Sequence, residues 1–208
     1  MANRTVDHQE RRRIICATAL RLFAERGYAA VNLGDIAKGA GLSRPLLYTY
    51  YKDKRQIFNE AIDAATSAVG ERHRALIGSK LPADEKLRQI CLMVFDLLFA
   101  NQEFVCVIVD FLCEFRKGGR KVPVENIFRH TIGLKRIFHL FILEAMRRGE
   151  YGANLNPGYA TKLLYSQFEA AILRIAVSGG ADITESVEAM NAILAAFKRN
   201  SVRSRHFL

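Results

Sequence analysis

Tyrosine, arginine and lysine side chains concentrate in the stretch GLSRPLLYTYYKDK, which runs from Gly41 to Lys54. Tyrosine hydroxyls can hydrogen-bond to phosphates and base edges, and tyrosine rings can pack on thymine methyl groups. Arginine and lysine bind the same phosphates electrostatically. The chemistry that this stretch favours is non-covalent recognition of a polyanion by Arg44, Pro45, Tyr48, Thr49, Tyr50, Lys52 and Lys54.

A short helix is the element that would present these side chains together. Ser43 is a good N-cap, and Pro45 falls in the first turn, where a missing N–H costs nothing. Leu42 and Leu47 have the spacing of a hydrophobic staple around that cap. Leu47 and Tyr51 share one face at i and i+4, so we expect both to point into a core. The opposite face then presents Arg44, Pro45, Tyr48 and Thr49, flanked by Tyr50.

Two helices are predicted upstream of that short helix. The first starts at Asp7 or Glu10 and ends at Glu25. The second begins at Asn32, a good N-cap, and stops at Gly41. Two short helices joined by a glycine turn, after a stabilising first helix, form a helix-turn-helix, whose second helix enters the major groove of DNA.

The charge is distributed unevenly along the chain. The net charge is +10, of which residues 1–55 carry +6, residues 56–197 carry zero and residues 198–208 carry +4. A basic first quarter predicts a polyanionic partner for the N-terminal part. Lys52, Lys54 and the first amides of the helix that follows Asp53 are placed to bind a phosphate. Charge alone does not separate nucleic acid from an anionic membrane surface.

The segment IICATALRLFAERGYAAVNLGDIAKGAGLSRPLLYTYYKDKRQIF resembles the DNA-binding domain of tetracycline-repressor-like (TetR family) regulators. The matching features are LFAERGY, DIAKGAGLS and LYTYYKDK, within about residues 12–58. The resemblance implies a homodimer that binds a palindromic operator and releases it when a small molecule enters the C-terminal domain. It also implies cap, base or phosphate contacts for Ser43, Tyr48, Tyr50 and Lys54.

Five positions depart from the pattern of that family. Asn32 stands where Thr or Ser is usual, and it can still cap a helix and contact a phosphate. Gly34 replaces a commonly basic or polar residue, which removes one backbone contact. Pro45 and Leu46 change the surface that would contact the bases. The operator sequence of other members of the family therefore does not carry over to this chain. Tyr51 replaces the usual Phe, and its hydroxyl needs a partner or an exposed edge.

The rest of the chain is predicted to be helical, near residues 53–78, 83–100, 102–117, 123–148, 157–178 and 183–199. The expected fold is all-α, with about nine helices. Residues 1–52 are predicted to form a three-helix helix-turn-helix DNA-binding domain. Residues 53–208 are predicted to form a helical ligand-binding and dimerisation domain.

Residues 95–141 hold eight of the thirteen phenylalanines. Such a set is most often a core, but the resemblance implies that the equivalent helices enclose a cavity for a small apolar or amphipathic effector. His130 could supply the orienting polar contact that a mostly apolar pocket needs. The predicted wall residues are Phe95, Phe99, Cys106, Phe111, His130 and Phe138.

The last two predicted helices carry apolar seams. In the final helix, apolar residues recur at alternating spacings of four and three, which suits close antiparallel packing of helices. The resemblance implies that this helix pair forms a four-helix bundle between two subunits. The predicted interface comprises Tyr159, Leu163, Ala170, Val177, Val187, Met190, Leu194 and Phe197.

Enzymes, metalloproteins and membrane-spanning proteins find little support in the sequence. No nucleophile elbow, Walker loop, HExxH or dinucleotide fingerprint is present, so we expect no catalytic residue, metal or cofactor. The four cysteines lack C-x-x-C spacing, and reduced, buried thiols in a cytoplasmic protein are expected. Three alternatives stay open: a DNA-binding structural or division-linked protein of the same fold without an effector, a redox-controlled regulator using the cysteines, and a basic membrane-surface protein.

Overall fold

The computed structural model of the protein describes residues 2–116, 124–178 and 182–202, and these residues form nine helices and no strand. The predicted all-α fold is therefore confirmed. The helices are α1 Ala2–Arg26, α2 Leu33–Gly39, α3 Arg44–Tyr50, α4 Lys54–Ile77, α5 Ala83–Ala100, α6 Gln102–Arg116, α7 Val124–Arg147, α8 Pro157–Ser178 and α9 Ile183–Val202.

Helix α1 begins earlier than the sequence analysis predicts. It starts at Ala2 rather than at Asp7 or Glu10. The residues before the predicted start contain neither proline nor glycine, so no helix-breaking residue stops the helix from extending to the N-terminus. The other helix ends agree with the predicted ones to within a few residues.

The contacts divide the chain into two compact units. Unit 1 contains the described residues of 1–66 and 102–128, and unit 2 contains those of 67–101 and 129–208. Unit 1 thus combines α1, α2 and α3 with the first half of α4 and with α6. The functional boundary between residues 52 and 53 stays a prediction.

The core of unit 1 is formed by the apolar faces of its helices. On α1, Ile15, Ala19, Leu22 and Phe23 share one helical face and are buried, and α6 packs against α1. The rings of Phe23, Tyr28 and Phe58 form a cluster with centroids 5.1–5.8 Å apart. Helix α1 ends at Gly27, whose φ of 76° is the left-handed cap conformation that glycine adopts without strain.

Unit 2 is built around α5, which packs on both α8 and α9. The ring of Phe168 lies 4.5 Å from that of Phe95 and 5.5 Å from that of Phe138, measured between centroids. The amides of Ala83 and Asp84, at the start of α5, donate to the carboxylate of Glu150. This carboxylate caps the helix in place of the N-cap residue Pro82, whose side chain makes no capping hydrogen bond. Lys86, almost fully buried, is neutralised by Glu144 at 3.0 Å.

Within the described ranges, no single helix is long and apolar enough to cross a membrane. The bent pair formed by Ala83–Ala100 and Gln102–Cys113 meets that test by length and composition only.

Candidate nucleic-acid interface

Helix α2 begins with a reciprocal capping box. The Oδ1 of Asn32 accepts hydrogen bonds from the amides of Gly34 at 2.8 Å and Asp35 at 3.1 Å. The Oδ2 of Asp35 accepts in return from the amide of Asn32 at 2.8 Å. These bonds satisfy amides that a helix N-terminus otherwise leaves unpaired, so the predicted N-cap role of Asn32 is confirmed. A DNA contact from the same residue stays a prediction.

The turn between α2 and α3 is a Schellman motif. The amide of Leu42 donates to the carbonyl of Ala37 at 2.9 Å, and the amide of Gly41 donates to that of Lys38 at 3.2 Å. Gly41 has a φ of 69°, which an L-residue with a side chain rarely adopts. The glycine turn that the sequence predicts therefore redirects the chain from α2 into α3.

Helix α3 exposes the side chains that its spacing predicts to lie opposite its buried face. Ser43 caps it by accepting from the amide of Leu46 at 3.3 Å. Leu47 and Tyr51 are 0% and 2% exposed, so both point into the core of unit 1. The opposite face exposes Arg44, Pro45, Tyr48 and Thr49.

Tyr50 lies beside this surface and is half-buried. Its ring stacks against the imidazole of His8 in α1, with centroids 4.5 Å apart. This contact was not predicted, because the sequence indicated only a stabilising role for the first helix and no contact between it and Tyr50. The N-terminal part of α1 therefore supports the side of the reading surface.

The hydroxyl of Tyr51 has the partners that its burial demands. It lies 3.4 Å from the Sγ of Cys16, and its interaction with Glu60 helps to lower the pKa of that carboxyl. The guanidinium of Arg12 lies 4.9 Å from the Tyr51 ring centroid and donates from Nε to Glu60 Oε1 at 2.8 Å. These side chains connect the end of α3 to both α1 and α4.

The cysteines divide into two buried and two exposed thiols. Burial raises the pKa of Cys16 to about 11 and also raises the pKa of Cys91, which keeps both protonated near neutral pH. Cys106 and Cys113 in α6 are exposed. The expectation of buried thiols therefore holds for two of the four cysteines.

Lys54 has an internal role that the sequence analysis did not predict. Its Nζ donates to the carbonyl oxygens of Tyr28 at 2.5 Å and Val31 at 2.6 Å. Desolvation lowers the pKa of this ammonium. Lys54 thus tethers the loop that leads into α2, and a phosphate contact from the same ammonium stays a prediction. Lys52 is exposed at the end of α3.

The predicted ligand-wall residues do not gather in one unit. Phe95 and Phe138 are buried against Phe168 in unit 2, where Phe99 and His130 are half-buried. Cys106 and Phe111 belong to unit 1. The exposure of Cys106 corrects its predicted place in a pocket wall, because it lies on the opposite side of α6 from the buried Phe104 and Phe111.

Unit 1 contains a cavity of about 570 Å³ that the sequence analysis did not predict. Its wall comes from the end of α1, the following loop, α4 and α6. The aromatic side chains Phe23, Tyr28, Phe58 and Phe111 contribute to it, and Asp110 and Cys113 add polar atoms. The complete wall is formed by Phe23, Ala24, Glu25, Arg26, Gly27, Tyr28, Ala29, Ala30, Phe58, Val107, Asp110, Phe111 and Cys113.

The predicted dimer residues fall into an exposed group and a buried group. On α8, Tyr159, Leu163 and Val177 are 70%, 49% and 80% exposed, and Ala170 is half-buried. On α9, Val187 is half-buried, whereas the seam residues Met190, Leu194 and Phe197 are at most 5% exposed. This burial corrects the prediction for those three, because α9 packs them inside the protomer against α5 and α8.

Comparison with known proteins adds to this geometry. The sequence pattern of bacterial regulatory proteins of the tetR family matches residues 15–61, which include α2, the turn and α3. The HTH-type transcriptional regulator AcrR of Shigella flexneri is 30% identical over 176 residues, which are 79% of this chain and 81% of AcrR. The chain belongs to the tetR family. It is a transcriptional regulator with a helix-turn-helix DNA-binding region, and its relatives are regulators, not enzymes.

Two further comparisons cover most of the chain. TtgR of Pseudomonas putida is 25% identical over 189 residues, which are 84% of each chain. The structure of FadR from Bacillus subtilis in complex with stearoyl-CoA has a TM-score of 0.70 and 21% identity, and it covers 90% of this chain and 97% of that one. The likeness to FadR supports the fold.

Proposed function

We propose that this tetR-family regulator represses transcription by binding a palindromic operator as a homodimer, and that a small apolar or amphipathic effector releases it. The observation that carries the proposal is the division of α3 into two faces. Leu47 and Tyr51 anchor one face in the core, and Arg44 and Tyr48 stand exposed on the other. In a helix-turn-helix, the N-terminal residues of the second helix contact base edges.

The chemistry of the exposed face suits duplex DNA. Arg44 offers a planar fork of donors that matches the acceptors of guanine in the major groove. Tyr48, which is 52% exposed, offers a hydroxyl for a phosphate or base edge and a ring for a thymine methyl group. The net charge of +6 on residues 1–55 supplies the attraction to phosphates.

An exposed apolar stripe on α8 supports the homodimer. Tyr159, Leu163, Leu173 and Val177 recur at helical spacing, so they lie on one side of the helix. A contiguous apolar patch of this kind favours a protein partner over water. In a dimer that uses this stripe, the two α3 helices enter successive major grooves if they lie roughly 34–36 Å apart, or a multiple of that distance.

The cavity in unit 1 supports the effector. Its volume of about 570 Å³ falls within the usual range for ligand pockets of roughly 300–1,000 Å³. Aromatic rings beside the charged residues Glu25, Arg26 and Asp110 suit an amphipathic molecule, and stearoyl-CoA, bound by FadR of Bacillus subtilis, is a molecule of that class.

The position of the cavity suggests how an effector would weaken DNA binding. Its wall includes Gly27, Tyr28 and Ala29, and Lys54 holds that loop just before α2 begins. An effector that displaces the loop moves α2 and α3 together. It needs only a higher affinity for the displaced state, and a typical coupling of about 1–3 kcal/mol weakens DNA binding roughly 5- to 150-fold.

Selection of duplexes from a random DNA pool tests the proposal. We expect enrichment of an inverted repeat whose half-sites are spaced by about 10–10.5 base pairs or a multiple. Recovery of no preferred sequence contradicts sequence-specific binding. A preferred single half-site contradicts the homodimer but not the reading surface.

The same fold without an effector is the second candidate. The packing of Phe95 and Phe138 on Phe168 favours it, because those side chains fill space in unit 2. Calorimetry separates the two candidates. A ligand whose affinity is the same with and without operator DNA argues for the second candidate, because linkage requires the coupling to be reciprocal.

A further inference from the structure

The side chain of Arg44 lies close to Gly34 across the helix-turn-helix. Gly34 is the second residue of α2, and Arg44 is the first residue of α3. A Cβ atom added at Gly34 would lie 3.0 Å from the Nε of Arg44 and 3.3 Å from its Cζ. The guanidinium of Arg44 therefore crowds the position at which the side chain of any other residue 34 would begin.

The backbone does not explain why residue 34 is a glycine. The glycines with positive φ in the described residues are Gly27, Gly41 and Gly149, so Gly34 has a conformation open to any L-residue. Glycine is a poor helix former, and α2 has only seven residues to stabilise it. Gly34 is half-buried, and a residue that opposes the local helix preference without a backbone reason points to a functional requirement.

We propose that Gly34 is a specificity-determining residue that acts through Arg44. Its missing side chain lets the guanidinium lie across the first turn of α2, and that position fixes the direction from which Arg44 approaches a base pair. Gly34 is thus a positioning residue, and Arg44 makes the contact. This inference rests on the proposed function of α3 as the reading helix.

The distances set the size of the expected effect. Optimal separations between non-bonded heavy atoms are about 3.5–4.0 Å, so an alanine at position 34 forces Arg44 to move by a few tenths of an ångström or to change rotamer. The side chain is flexible, so the fold tolerates the move. A two-pronged contact to guanine does not tolerate a change of rotamer, because recognition geometry must hold within about 0.5 Å, and a shift of a few tenths of an ångström already approaches that tolerance.

A double-mutant cycle tests the inference. Gly34→Ala, Arg44→Ala and the double variant are titrated against the duplex selected by the wild type and against duplexes with single base-pair changes. We expect Gly34→Ala to reduce the preference at one base pair of each half-site by about 5- to 100-fold. In the Arg44→Ala background, Gly34→Ala should leave base preference unchanged.

The cycle also separates the effect of a second contact from the effect that acts through Arg44. A Cβ at Gly34 would lie 3.0 Å from the Oδ1 of Asn32 as well. That contact is the same whether residue 44 is arginine or alanine, so its effect cancels in the cycle. An effect of Gly34→Ala that is equally large in the two backgrounds therefore contradicts the proposal, because it would act through the cap and not through Arg44.

Gly70→Ala is the matched control. Gly70 lies within α4, and a Cβ there would lie 3.8 Å from the Nη1 of Arg74, which is an ordinary contact. Gly70→Ala gains helix propensity without crowding a neighbour, so it should not lower the melting temperature, and only Gly34→Ala should change base preference. If wild type and Gly34→Ala share the same base preference, the inference is wrong while the proposed function stands. If the wild type prefers no sequence, the proposed function itself fails.

Discussion

Lys54 at the start of α4 holds Tyr28 in the loop before α2 by two contacts. Its ammonium donates to the Tyr28 carbonyl oxygen at 2.5 Å and lies 4.3 Å from the centroid of the Tyr28 ring. The same nitrogen also donates to the Val31 carbonyl at 2.6 Å, one residue before the N-cap of α2. The position of α2, and with it that of α3, therefore depends on where α4 begins.

Replacing Lys54 should destabilise the fold as well as weaken DNA binding. Lys54→Ala leaves the carbonyls of Tyr28 and Val31 without this donor, at a cost of about 1–3 kcal/mol. We expect a lower melting temperature and weaker binding to operator and random duplexes alike. Differential scanning fluorimetry and DNA titration measure the two effects.

Lys52→Ala is the control for that experiment. The side chain of Lys52 is exposed, so its loss should weaken DNA binding and flatten the salt dependence without changing the melting temperature. A Lys54→Ala variant could melt like the wild type and show the same flattened salt dependence as Lys52→Ala. That result would contradict the structural role of Lys54 in the loop and indicate that Lys54 only contacts a phosphate.

Acid should destabilise unit 1 through Glu60. The hydrogen bond from Arg12 holds the pKa of Glu60 below its usual range. A carboxylate whose pKa is lower in the folded than in the unfolded state stabilises the fold above the unfolded value, about 4.3, and this stability is lost as pH falls through the folded value. Glu60→Gln should therefore lower the melting temperature at pH 7 by roughly 2–4 °C but have less effect at pH 3.

Glu10→Gln is the comparison for Glu60→Gln. Glu10 pairs with Arg13 one turn away on the exposed surface of α1, where water screens the interaction. Its replacement should change the pH dependence of the melting temperature less than Glu60→Gln does. If the two variants change the pH dependence of the melting temperature equally, the contacts of Glu60 with Arg12 and Tyr51 stabilise the fold no more than an ordinary surface ion pair does.

Local sequence signals predicted the cap, the preceding turn and the buried face of α3 correctly. Ser43, Gly41 and the i, i+4 pair of Leu47 and Tyr51 specify a cap, a turn and a buried face within eleven residues, and all three are present in the structure. Such features depend on neighbours along the chain, so sequence alone carries them.

Contacts between distant segments were not predictable in the same way. Spacing showed that Met190, Leu194 and Phe197 form an apolar seam, but spacing cannot say whether the seam packs on the same chain or on another copy. The cavity arises because α6 returns to pack on α1. The contact between Gly34 and Arg44 depends on side-chain direction across the turn, which a motif does not encode.

The dimer should depend on α8 rather than on the α9 seam. Leu173→Glu places a charge in the exposed stripe, where it disrupts association without disturbing the core. We expect a folded monomer with weak DNA binding. Leu194→Glu buries a charge inside unit 2 and should unfold it.

Sedimentation and circular dichroism distinguish these outcomes. A Leu173→Glu variant that remains dimeric would contradict the use of the α8 stripe. A Leu194→Glu variant that becomes a well-folded monomer would restore the original assignment of the α9 seam to the interface.

Filling the cavity should block the effector and spare DNA binding. Cys113→Trp adds a large side chain at the wall of the cavity, whereas Cys106→Trp adds the same side chain to an exposed position of α6 outside that wall. For an amphipathic probe such as stearoyl-CoA, we expect release of DNA from the wild type and from Cys106→Trp but not from Cys113→Trp. Equal release from all three would place the effector elsewhere.

Titration of the selected duplex and of a scrambled duplex of equal length, at one fixed salt concentration, tests the reading role of α3 most directly. The wild type should bind the selected duplex at least about a thousandfold more tightly than the scrambled one. Tyr48→Ala should reduce this ratio and leave the melting temperature unchanged, because the Tyr48 side chain is exposed. Equal affinity of the wild type for the two duplexes, or a ratio unchanged in both Tyr48→Ala and Arg44→Ala, would contradict the claim that α3 reads the operator.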